Sequence, residues 1–68
     1  MNQDNFNMEI RKYLKKVGIT SQREITEAVS RAISEGKLTG NESLKAHATI
    51  VFQDIDCTIE IDGEISLN

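Results

Sequence analysis

His47, Cys57 and the carboxylates of DIDCTIEIDGE, residues 54–64, are the side chains whose chemistry could reach beyond structure in this 68-residue chain. A metal centre needs several such ligands on one side of the fold. A reactive thiol needs exposure and a neighbouring base that lowers its pKa. Residues 44 to 61 alternate apolar and polar, which puts Cys57 on the face of Ile59 and Ile61, and His47 and Glu60 on the other face. Cys57 therefore reads as a small core hydrophobe and His47 as a surface partner of Glu60. A calcium loop also fits poorly, because placing Gly63 at its invariant glycine puts Thr58 at the first ligand position. GKLTGNES, residues 36–43, lacks the Gly-x-x-x-x-Gly-Lys spacing of a phosphate loop. With one tyrosine, two phenylalanines and no tryptophan, little is left to line a substrate pocket. The expectation is a protein that is not an enzyme, with no catalytic residue, no cofactor and no metal.

The basic side chains offer a different chemistry. Residues 1–37 hold seven Lys/Arg against five Asp/Glu, a balance of +2, and residues 38–68 hold one lysine against six acids, a balance of −5. Arg11, Lys12, Lys15 and Lys16 fall on one arc of a helix, Arg23 follows, and Met8 is an apolar residue on the same arc. These six form the candidate interaction face. Phosphates are one possible target, since lysine and arginine neutralise a nucleic-acid backbone. LKKVGITSQREI, residues 14–25, even has the layout of a helix-turn-helix, with Gln22 and Arg23 at the front of the second helix. That motif asks for a small residue four before the turn glycine, where Leu14 stands, and aliphatics six and nine after it, where Glu24 and Glu27 stand. Nucleic acid is thus disfavoured as the partner. The turn reads as a loop between two helices.

The elements that position these residues follow from periodicity. Phe6, Ile10, Tyr13, Leu14 and Val17 recur at helical spacing; Asp4 or Asn5 can cap the start and Gly18 can end the run. Ser21 and Glu24 form a capping box, Ile25, Ala28, Val29, Ala32 and Ile33 make a second stripe, and Gly36 stops it. The predicted helices are 4–17 and 21–35. Beyond TGNES, residues 39–43, the period becomes two, predicting strands at 44–53, 56–61 and 64–67. An even-length connection, Gln53–Asp54 or Gln53 to Asp56, keeps the apolar residues of the first two strands on one face. A three-residue loop Ile61–Gly63 does the same for the last two. The expected fold is α+β: two N-terminal helices packed on one face of a three-stranded antiparallel meander, as a single α-α-β-β-β domain spanning 1–68.

The whole chain also resembles a group of short, uncharacterised bacterial proteins. The likeness lies in FNMEIRKYLKKVGITSQREI near the start, GKLTGNESL in the middle and IDGEISL at the end. It implies a bacterial protein of the cytosol and no assigned activity.

A chain of this size buries only about 60 % of its unfolded surface, so small domains often gain stability from a disulfide, a metal or a second copy. A single cysteine rules out an internal disulfide and fits a reducing compartment. No basic-then-apolar leader opens the sequence, and its apolar runs are too short to cross a bilayer. These features lead to the expectation of a cytoplasmic structural or protein-interaction module whose partner is another protein or itself, as a homodimer. The alternative is a nucleic-acid-associated accessory protein using the basic face.

Overall fold

A computed structural model describes all residues, 1–68. It divides into two compact units, Met1–Lys37 and Leu38–Asn68.

The first unit is one α-helix, α1, Gln3–Ser34, of 32 residues. The two predicted helices are therefore one, and the turn at Gly18 does not exist. Gly18 has no positive φ, which a left-handed helix end would require. A glycine inside a helix costs about 1 kcal/mol relative to alanine, which weakens a helix without breaking it. Leucine, lysine, arginine and glutamate around it favour helix, and the chain contains no proline. Ser21 and Glu24 consequently lie mid-helix, where the N–H groups a capping box would serve are bonded to the preceding turn. The true N-cap is Asn2, whose side-chain oxygen accepts from the Asn5 N–H at 3.0 Å. The far end is where the glycine placed it. Gly36 takes φ 79°, Lys37 N–H donates to the Ala32 carbonyl at 2.8 Å, and Gly36 N–H donates to Ile33 at 3.1 Å. That pair of bonds is a Schellman ending.

Fusing the helices changes how their apolar stripes relate. At 100° per residue, the Phe6–Val17 stripe and the Ile25–Ile33 stripe are centred about 80° apart around α1. Thr20 to Glu24 separate them with five polar residues. One rod thus presents two apolar faces in different directions.

The second unit is a two-stranded antiparallel hairpin of β1, Ser43–Phe52, and β2, Cys57–Ser66. Its register runs from Ser43 opposite Ser66 to Phe52 opposite Cys57. The connection is Gln53 to Asp56, a 3-10 turn over Gln53–Ile55 closed by Asp56 in the left-handed region at φ 50°. It is the longer of the two even-length connections expected. The third strand is absent as a separate element: β2 runs straight through Asp62-Gly63, and Ala46 lies opposite Gly63. Parity explains the difference. Cys57, Ile59, Ile61, Gly63 and Ile65 are all odd-numbered, so an unbroken strand keeps its apolar residues on one face without any turn. An unbroken β2 also gives every residue of β1 a partner.

No residue of either unit is buried. The apolar face of the hairpin carries Leu44, Ala46, Ala48, Ile50 and Phe52 beside Cys57, Ile59, Ile61, Gly63 and Ile65. Phe52, Ile59, Ile61 and Ile65 remain 44, 42, 53 and 42 % exposed.

Candidate interaction surfaces

The outer face of the hairpin brings opposite charges together. Lys45 faces Glu64, His47 faces Asp62 and Thr49 faces Glu60. His47 Nδ1 lies 2.5 Å from Asp62 Oδ1, and its Nε2 lies 3.3 Å from Glu60 Oε1. Thr49 Oγ1 donates to the same glutamate oxygen at 3.2 Å. The expected His47–Glu60 pairing is present, and Asp62 adds a closer partner that the predicted turn had removed from the strand. Only an imidazolium can donate from both nitrogens. Asp62 first, and Glu60 second, therefore raise the His47 pKa above 6.5 against a smaller opposing desolvation. The carboxylates sit on different ring nitrogens, so they do not converge on a shared cation, and no group of three or more His, Cys, Asp or Glu could hold a metal ion.

A raised pKa has a defined sign in stability. The interaction is complete below the unfolded pKa and is lost as pH rises through the higher folded value. Replacing Asp62 with Asn is expected to lower the His47 pKa toward 6.5. Titration of the His47 ring protons by NMR checks this; an unchanged midpoint would mean that Asp62 does not hold the proton.

Glu42 is a positioned residue that periodicity could not find. Its carboxylate accepts from Thr39 N–H at 2.8 Å, Gly40 N–H at 3.0 Å and Thr39 Oγ1 at 3.1 Å. These bonds, the Thr39 N–H foremost, lower its pKa to about 2 despite some desolvation. Gly40 has φ 102°, so two successive N–H groups can point to one place. Such a concavity attracts anions. Here the chain's own carboxylate fills it and ties the turn to the start of β1.

Both long edges of the hairpin are open. Bonded and non-bonded residue pairs alternate along an antiparallel ladder. Leu67 N–H donates to the Glu42 carbonyl at 2.9 Å, which sets the phase: Leu44–Ile65, Ala46–Gly63 and their alternate successors are the bonded pairs. Lys45, His47, Thr49 and Val51 of β1 therefore direct their N–H and C=O groups outward, as do Thr58, Glu60, Asp62 and Glu64 of β2.

The six residues of the candidate interaction face all lie on α1 and are all exposed. Met8, Arg11, Lys12, Lys15, Lys16 and Arg23 fall within an arc of about 140° on helical spacing. Arg23 is mid-helix rather than at the front of a second helix. Ile19, which a helix ending at Gly18 would leave in a turn, falls on the same arc as Met8 and is 56 % exposed. Two cations have acidic neighbours, Lys12 with Glu9 and Arg23 with Glu24, each at 3.8 Å. Exposed pairs of this kind contribute little.

A model of a family of unknown function, DUF6494, matches residues 1–68. The chain belongs to that family. No curated protein and no solved structure matches it. Membership of DUF6494 carries no activity to transfer. No helix is long and apolar enough to cross a membrane.

Proposed function

We propose that this DUF6494 protein is a small interaction module of the bacterial cytoplasm, whose fold is completed by another protein chain, in the first place a second copy of itself. One observation carries the reading: the hairpin's apolar face and both stripes of α1 contain no buried residue. An isolated two-stranded hairpin is marginal in water, and a helix draws most of its stability from packing an apolar face. Both elements become stable when these faces meet a complementary surface. The protein acts by binding, with no catalytic step of its own; His47, Glu60 and Asp62 engage one another and Cys57 lies on the opposite face.

A second reading has its own support. Arg11, Lys12, Lys15, Lys16 and Arg23 follow one side of an unbroken helix, an arrangement that can track phosphates. Glu9, Glu24 and the overall charge of −3 oppose it. The native mass of the protein in a clarified lysate, with and without nuclease, separates the two. A module keeps the mass of a small assembly after nuclease. A mass that collapses on nuclease treatment identifies the cationic side of α1 as the working surface. One chain alone, in lysate and when pure, overturns both readings.

A further inference from the structure

We propose that the second copy joins through the free edge of β1, making a four-stranded antiparallel sheet in the order β2-β1-β1-β2. This inference rests on the reading of the protein as a self-completing module and adds which surface does the joining.

The two open edges differ in charge. When a strand pairs antiparallel with its own copy about a two-fold axis, each outward residue meets a residue from the same short list. On β2 that list contains Glu60, Asp62 and Glu64, so any centred pairing sets carboxylate against carboxylate, and like charges directly opposite are destabilising. On β1 the list is Ser43, Lys45, His47, Thr49 and Val51, with one fixed charge and two β-branched residues. Val51, 54 % exposed, is also the one large apolar side chain on the polar face of the hairpin, and it belongs to β1.

Register supports the same edge. The outward N–H and C=O groups of β1 belong to its odd-numbered residues, so they can bond only to odd-numbered residues of the copy. That constraint keeps Leu44, Ala46, Ala48, Ile50 and Phe52 of both copies on a single face. An axis near His47 or Ala48 pairs almost the full length of β1. The product has four strands, one continuous apolar face and acidic β2 strands at its rims. Rims rich in charge resist further strand addition, which closes the assembly at two chains.

The test combines native mass with residue-resolved amide exchange on the full chain. The expected result is a two-chain mass, with the amides of Lys45, His47, Thr49 and Val51 exchanging on the order of 100-fold more slowly than those of Glu60, Asp62 and Glu64. Thr49→Pro removes an outward N–H of β1 and should give single chains. Glu60→Pro removes the outward N–H directly across the hairpin and should leave the two-chain mass. A two-chain mass with β1 amides as fast as those of β2 overturns the edge assignment and leaves the module reading intact. Single chains with both edges unprotected overturn both. Open-ended polymers would mean that β1 pairs with β2 of the next copy, and the two-fold arrangement is then wrong. Should Thr49→Pro unfold the hairpin, the exchange pattern of the unaltered chain decides.

Discussion

Replacing Ile59 with aspartate is expected to unfold the protein largely wherever the hairpin's apolar face is covered, and Ile59→Ala to weaken that covered fold by about 2–5 kcal/mol. In the lone chain neither change should matter much. Ile59 is 42 % exposed there, and surface substitutions generally stay within about ±0.5 kcal/mol. The size of the effect therefore reports whether the apolar face is covered in solution. A buried isoleucine truncated to alanine loses transfer free energy and leaves a cavity, whereas a buried, unpaired carboxylate also pays for desolvation. Thr58, the preceding residue, points to the opposite face, so Thr58→Asp introduces the same charge where water already reaches. Native mass and thermal unfolding of the three variants check the expectation. An Ile59→Asp protein with unchanged mass and midpoint would show that this face stays open, and the proposed module would lose its main support.

Gly18→Ala should stabilise the protein by about 1 kcal/mol, and Gly18→Pro should cost roughly 3 kcal/mol. The first expectation has a sign that discriminates. Gly18 lacks a positive φ, and a Cβ added there meets nothing within 4 Å. Alanine then improves helix propensity at no steric cost. A left-handed glycine closing a helix at that position would give the reverse, as Gly36→Ala should, because Gly36 sits at φ 79°. The helical signal in circular dichroism and the unfolding midpoint, measured for both alanine variants, distinguish one rod from two helices. Destabilisation by Gly18→Ala would restore the two-helix arrangement.

The two places where the structure departs from the sequence pattern share a cause. Local signals at residues 18–24 and 61–63 are real: a glycine beside a capping box, and an Asp-Gly pair between alternating strands. Each is a preference worth about a kilocalorie per mole, and each competes with hydrogen bonding that extends across it. At Gly18 the helix continues because Leu14, Lys15 and Lys16 before it and Gln22, Arg23 and Glu24 after it favour helix, and nothing between them forbids it. At Asp62-Gly63 the strand continues because parity already holds its apolar face and β1 supplies partners to Ser43. The stop at Gly36 was legible because the chain there has no helical stripe to continue. Facing was legible too, since His47 and Cys57 occupy opposite sides as alternation requires. Asp62 as the nearer partner of His47 was hidden by the assumed turn. Glu42 was hidden because its bonds reach two and three residues back within a loop, where no periodicity operates.

Exposed apolar surface on every element also bears on how the cell would handle this protein. A newly made copy that has found no partner displays what folding surveillance recognises in damaged chains: greasy side chains and unpaired strand edges. Chaperones and proteases compete for such a chain, and a few kilocalories per mole of missing stability change abundance severalfold. The proposed assembly would then protect the chain, and the amount that survives would follow the concentration at which copies meet. Synthesis in excess would be trimmed, and scarcity would be self-reinforcing, without any dedicated regulator.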